Sequence, residues 1–197
     1  MLSRRELEVV QWAQRLFERN FCILDTETTG LGDSDEIVEI AILDKDDCVL
    51  LNRLVKPTVD SISEEVINIH GISYDHVKNM ESFELIWPRV REILGKYNYI
   101  IAYNAVFDMR MITQTCGKFG FNPKLESEKW HCLMNQYAIF IGDWNDYFGN
   151  YQWQKLSLVV EWASQFLECE YYVSHRALND CKNILLVLKA LAKYPKT

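Results

Sequence analysis

The sequence predicts an α/β protein built on a mixed sheet, an antiparallel meander plus parallel strands, flanked by helices. Three observations lead there. Three short apolar runs, FCILD, IVEIAILD and CVLLNRLV, follow one another from Phe21 to about Lys56 with the turn-forming stretches GLGDSDE and DKDD between them. A further buried run, YIIAY, comes after an intervening helical segment, which makes at least one strand-helix-strand crossover. Helical patterns then dominate the rest of the chain.

Taken in order, Ser3 followed by Glu6 has the pattern of a capping box, and Leu7, Val10, Ala13, Leu16 and Phe17 recur at helical spacing. Residues 1–20 therefore predict an amphipathic helix appended to a single domain over 21–197, a length that suits one sizeable core. The three strands follow. Residues 63–70 and 81–96 read as helices, the second with Phe83, Ile86, Trp87, Val90, Ile93 and Leu94 on one face and Gly95 at its end. Asn104 stands where it would cap the helix after YIIAY. Helices are expected over about 129–141, 155–167 and 175–194. The stretch between the first two, GDWNDYFGNYQW at 142–153, places five aromatics among polar residues; because Trp153 directly precedes an apolar helix, we expect this loop to fold back over the core.

Composition narrows the function. A charge of −7 argues against a long basic footprint on duplex nucleic acid, yet it leaves room for a nuclease whose carboxylates are neutralised locally by metal. No apolar run approaches the ~18 residues of a membrane span, and the N-terminal residues alternate charge with apolar side chains, unlike a signal peptide. The expected compartment is the cytoplasm, with no membrane partner. Six cysteines scattered singly lack the close pairs of zinc or redox motifs and read as reduced, mostly buried thiols.

The chemistry is concentrated in acids at structural junctions. Asp25 and Glu27 leave the first strand, and residues two apart on a strand point to the same face. Burying ionised carboxylates costs several kcal/mol unless something compensates them. Asp108 lies four residues after Asn104, about one turn into its helix, and Asp180 follows His175 by five positions at the head of the last helix. Five residues on a continuous helix turn through roughly 140°, so His175 belongs in the preceding loop or at the first helical position, leaning over a site that Asp180 lines. Oxygen-only ligands select hard cations such as Mg²⁺ or Mn²⁺ over zinc. A histidine with an ordinary pKa near 6.5 can take a proton from water at neutral pH.

DTETTG at 25–30, NAVFD at 104–108 and HRALND at 175–180 resemble, in order and spacing, the three motifs of the DEDDh (DnaQ-like) 3′ to 5′ exonucleases, a group that includes the proofreading subunit of the bacterial replicative polymerase and ribonuclease T. The resemblance extends from about Phe21 to Leu191. It implies a ribonuclease H-like fold in which Asp25, Glu27, Asp108 and Asp180 hold two divalent cations, Mg²⁺ or Mn²⁺, and His175 is the general base. It further implies that Glu27 and the backbone around Thr28 and Thr29 contact the terminal nucleotide. INIHGIS at 67–73 resembles the family's segment beside the terminal base, making His70 a pocket residue as well as a residue near a helix end.

The expected substrate is the 3′ end of single-stranded DNA, with RNA second, and the expected protein partner is a polymerase or another replication or repair protein. An inactive nucleic-acid-binding scaffold of the same fold and a small-nucleotide phosphatase are the alternatives. Asn104 is first a cap and second a substrate-binding residue, and Phe107 reads as core. His76 and His131 have no assigned role, and Lys155, Arg176 and Lys182 read first as solvated surface and second as phosphate contacts.

Overall fold

The computed structural model describes residues 2–173 and 175–195. The chain runs α1 (Arg4–Phe17), β1 (Phe21–Thr28), β2 (Ile37–Asp44), β3 (Val49–Leu54), α2 (Glu64–His70), α3 (Tyr74–Val77), α4 (Phe83–Leu94), β4 (Tyr99–Ala102) and α5 (Ala105–Lys118). A 3₁₀ turn (Ser127–Lys129) then leads to β5 (Trp130–Cys132), α6 (Leu133–Ile141), the short pair β6 (Trp144–Asn145) and β7 (Asn150–Tyr151), α7 (Leu156–Leu167) and α8 (Ala177–Lys193). Five strands form one sheet in the order β3-β2-β1-β4-β5. The meander β1-β2-β3 is antiparallel, and β1, β4 and β5 are parallel. This is the mixed sheet that the sequence predicts.

Strand alternation divides the apolar residues into two cores. Phe21, Ile23, Ala41 and Leu43 pack with Val160, Ile184 and Leu188 on one face of the sheet, and Val9, Val10, Ala13 and Leu16 of α1 join the same cluster. Cys22, Leu24, Ile40 and Ile42 pack on the other face, against Phe83, Trp87 and Val90 of α4 and Met111 and Ile112 of α5. The helices α8 and α5 are thus pressed onto opposite faces of β1 by ordinary apolar burial.

The capping box forms as expected, with Glu6 N donating to Ser3 Oγ and Ser3 N to Glu6 Oε2. Ser63 caps α2, and that helix ends at Gly71 with φ of 74°, a left-handed turn suited to glycine. Among the described residues, no helix is long and apolar enough to cross a membrane. All six cysteines are free; Cys22, Cys116 and Cys181 are buried, Cys132 is half-buried, and Cys48 and Cys169 are exposed.

Three expectations change. The helix expected over 129–141 begins only at Leu133, because Trp130–Cys132 are drawn into extended pairing with Ile100–Ala102 at the edge of β4. A strand of three residues is too short to leave a periodic signature. The helix Tyr74–Val77 has no counterpart among the expected elements. The 142–153 loop contains a β-hairpin, and four of its five rings, Trp144, Tyr147, Phe148 and Trp153, are exposed, Tyr147 by 88% and Trp153 by 58%. Asn145 organises its turn by accepting from Tyr147 N and Phe148 N, so local hydrogen bonds define this loop in place of apolar burial.

Because the Tyr147 ring is so exposed, Tyr147→Ala should change stability by less than about 0.5 kcal/mol. Phe21→Ala, at a fully buried position, should cost about 3–5 kcal/mol. Urea unfolding midpoints of the two variants compare them directly.

Candidate active site

β1 places alternate side chains on opposite faces, so Asp25 and Glu27 point toward α8 while Thr26 points toward α5. On the α8 side, carboxylate oxygens of Asp25, Glu27 and Asp180 lie within 4.8 Å of one another. On the α5 side, Thr26 Oγ1 donates to Asp108 Oδ1 at 2.8 Å and aims that buried carboxylate along the strand end. Acids far apart in the chain therefore converge because one strand supplies two of them and steers a third.

The electrostatic consequence is pronounced. Burial first, and then the charges of Asp108, Asp180, Glu27 and Glu39, hold the Asp25 carboxyl well above the ordinary carboxylate range. Glu27 is pushed up to about 8, again chiefly by burial and then by Asp180, Glu39 and Asp108. Asp108 is pushed up to about 7 by burial, with the Thr26 hydrogen bond opposing the shift. Oxygen donors crowded at this spacing suit hard divalent cations, whose charge would offset the repulsion. The donor set thus fits the expected metals.

His175 lies outside α8, as its spacing from Asp180 predicts. Its amide donates to Asp180 Oδ2 at 2.9 Å, its φ is 69°, and its side chain is exposed. The remaining expected residues lie in or directly beside β1, α2 and α5. Asn104 is the residue before α5, yet its exposed side chain makes no capping hydrogen bond; its carbonyl accepts from Phe107 N and Asp108 N instead. Thr28 Oγ1 donates to the Gly30 carbonyl, and Thr29 Oγ1 to Asp35 Oδ1, so both hydroxyls help shape the loop after β1. A Cβ at Gly30 would lie 2.6 Å from Asp35 Oδ2, so a larger residue there would displace the carboxylate that Thr29 Oγ1 and the Gly32 amide bind.

His70 is buried at the end of α2. Its Nδ1 accepts from Ile72 N at 2.9 Å, which leaves Nε2–H to donate to the Thr28 carbonyl at 3.1 Å. The ring therefore tethers α2 to the end of β1, and burial lowers its pKa. With Thr28, Leu31, Val66, Ile69 and Phe107 it lines a pocket of about 160 Å³ that also reaches Glu27. Phe107, expected in the core, is half-buried and forms part of this wall.

Sequence reasoning did not find Thr26 or Glu39, and it misjudged Arg176. Thr26 sits inside the DTETTG motif but gains its meaning from a contact 82 residues away. Glu39, in the middle of β2, is buried against the Arg176 guanidinium, whose Nη2 lies 2.6 Å from Oε1. Arg176 is half exposed but paired, so it is not merely solvated surface. Lys182 likewise lies over the Tyr172 ring at 4.7 Å.

A mixed five-stranded sheet with carboxylates gathered at the end of its central strand defines the ribonuclease H-like class of nucleases. The chain belongs to the exonuclease family RNase_T, whose family model matches residues 22–188, and is a DnaQ-like exonuclease. It is 36% identical over 196 residues to the uncharacterized exonuclease CP81 of Escherichia phage 186, covering 98% of each chain. The PolC-type DNA polymerase III of Staphylococcus haemolyticus is 29% identical over 111 residues, 55% of this chain and 8% of that polymerase. Among solved structures, the nuclease domain of 3′hExo, a DEDDh family member bound to rAMP, matches with a TM-score of 0.66 at 20% identity, covering 89% of this chain and 93% of that one. Exonuclease X in complex with 5′ overhanging duplex DNA matches with a TM-score of 0.59 at 24% identity, covering 90% and 94%.

Raised carboxyl pKa values carry a definite sign. The folded protein retains protons that the unfolded chain has released, so metal-free stability should fall as pH rises from about 5 to about 8. Thermal melts in chelator should show this fall, and saturating Mn²⁺ should raise Tm and flatten the dependence. A metal-free Tm that does not fall across that range would contradict a repelling cluster.

Proposed function

We propose that the chain is a metal-dependent 3′ to 5′ exonuclease that hydrolyses the terminal phosphodiester of single-stranded nucleic acid, DNA in preference to RNA, and releases nucleoside 5′-monophosphates. The approach of Asp25, Glu27 and Asp180 to within 4.8 Å, with Asp108 steered alongside by Thr26, is the observation that carries this reading. Asp25, Glu27, Asp108 and Asp180 are the residues that would hold two divalent cations, Mg²⁺ or Mn²⁺. Such a pair supplies Lewis-acid activation of water and stabilisation of the leaving oxygen.

The protein's own groups do the rest. His175, with its backbone tied to Asp180, accepts the proton of the attacking water through a ring nitrogen. The apolar walls of Leu31, Ile69 and Phe107 receive the terminal base, while Glu27 at the pocket's edge reaches the terminal sugar. Thr28 and His70 fix the pocket's position against β1. Thr29 and Asn104 take supporting places, Thr29 in the loop and Asn104 exposed at the head of α5.

The DNA preference is supported by the polymerase relatives, and the same relatives support a polymerase or another replication or repair protein as partner. RNA is the second reading, favoured by a neighbour described as a 3′-exonuclease in recognition of the histone mRNA stem-loop, with a TM-score of 0.70 at 18% identity. The proposed compartment is the cytoplasm.

A 5′-labelled single-stranded oligonucleotide incubated with Mn²⁺ should shorten as a ladder from its 3′ end. His175→Ala should slow this by about 10²–10⁴-fold, and Asp25→Ala should abolish it. Matched DNA and RNA strands assayed together test the preference, which faster RNA digestion would reverse. Oligonucleotide binding without metal-stimulated cleavage would favour the scaffold reading.

A further inference from the structure

Glu39 is a buried acid that the proposed chemistry leaves without a task. It lies opposite Glu27 in the β1–β2 register and is 2% exposed. A carboxylate in that position adds to the crowding of the metal-ligand acids, so it needs a compensating partner. Its partner is the segment that carries His175. Arg176 Nε donates to Glu39 Oε1 at 3.2 Å and Oε2 at 3.1 Å, and Nη2 donates to Oε1 at 2.6 Å. Ala177 N, the first amide of α8, donates to Oε2 at 2.9 Å.

This grip fixes orientation as well as distance. The planar guanidinium fork meets both carboxylate oxygens, a directional arrangement that a point charge would not impose. The Ala177 contact adds a negative group at the helix end that favours one. His175, one residue before Arg176, has a φ of 69°, in the left-handed region disfavoured for a residue with a Cβ. Such a conformation persists only where its surroundings hold it. Asp180 Oδ2 holds the His175 amide on one side, and Glu39 holds the next two residues on the other.

We propose that Glu39, acting through Arg176 and the Ala177 amide, is a positioning residue that holds the His175 backbone beside Asp180 and so sets where the imidazole can reach. The proposal rests on the reading of His175 as general base. It assigns Arg176 to an internal latch, in place of a phosphate contact.

The test is steady-state cleavage of a single-stranded DNA oligonucleotide with Mn²⁺ by wild type, E39Q, R176Q, the E39Q/R176Q double variant and His175→Ala, with E39Q also placed in the His175→Ala background. A displaced general base should lower kcat of E39Q by up to about a hundredfold, with KM within about twofold of wild type. The Mn²⁺-induced rise in Tm should persist, because the metal-ligand acids are untouched. R176Q should match E39Q, the double variant should lose little more than either alone, and E39Q should cost nothing further once His175 is alanine. If E39Q does not fold, R176Q, at a half-exposed side chain, carries the same expectation.

A wild-type kcat in both E39Q and R176Q overturns the proposal, as does an equal loss from E39Q with and without His175. Loss of the Mn²⁺-induced Tm shift in a folded E39Q also overturns it, by making Glu39 a support of the metal ligands. These failures leave the base assignment standing where His175→Ala is itself slow; a His175→Ala variant at wild-type rate overturns both.

Discussion

Repulsion among four carboxylates is the constraint around which this molecule is arranged. Asp25, Glu27 and Asp180 come within 4.8 Å, and burial removes the water that would otherwise screen them. Within the cluster, single hydrogen bonds from Thr26 to Asp108 and from the His175 amide to Asp180 hold individual carboxylates but do not press the elements together. The restraint comes from the two apolar cores, which press α8 and α5 against opposite faces of β1 and so bring Asp180 and Asp108 to the strand's end. Ile184 and Leu188, fully buried, anchor the helix one and two turns beyond Asp180. Hydrophobic burial is in this sense the force that stores the electrostatic strain, and under the proposed function divalent ions bound at the cluster would relieve it.

The same arrangement explains why different parts of the site were legible to different degrees. Asp25 and Glu27 could be placed from sequence because a strand's period of two is rigid, and five residues of helical rotation sufficed to put His175 outside α8. Both are local rules. Thr26 and Glu39 obey rules that are not local: their partners are 82 and 137 residues away, and only the folded sheet brings them together. Glu39 was further disguised by its apolar neighbours in β2, Ile37, Val38, Ile40 and Ala41, among which an acid reads as an outward-facing residue. β5 failed for a different reason, since three residues cannot establish a period, and the hairpin failed because the place of Trp153 before an apolar helix does not govern a loop shaped by asparagine-centred turn bonds.

The loop after β1 shows how structural and substrate-facing duties separate within one motif. Thr28, Thr29 and Gly30 are spent on turning the chain, with Asp35 bridging Thr29 Oγ1 and the Gly32 amide. Arg110 of α5 reinforces the turn by donating to the Leu31 carbonyl. His70 ties the opposite wall to Thr28, so the pocket between α2 and β1 is a built recess in place of a gap between loose loops. Only Glu27 belongs to both the acid cluster and the pocket, which places it at the junction of metal binding and substrate recognition under the proposed function.

An acidic protein acting on a polyanion must confine its attraction to a small region. The net charge is −7, and two cations near the expected motifs are already engaged: Arg176 with Glu39, and Lys182 with the Tyr172 ring. Phosphate binding along a strand would therefore release few counterions, and affinity would depend weakly on strand length. Under the proposed function the attraction comes instead from divalent charge held at the carboxylate cluster, together with apolar contact in a recess of about 160 Å³. Both act on the last nucleotide. Discrimination then falls on whether a chain end can enter the recess, and a weak hold on the remaining strand permits the shortened product to leave or shift forward after each cleavage.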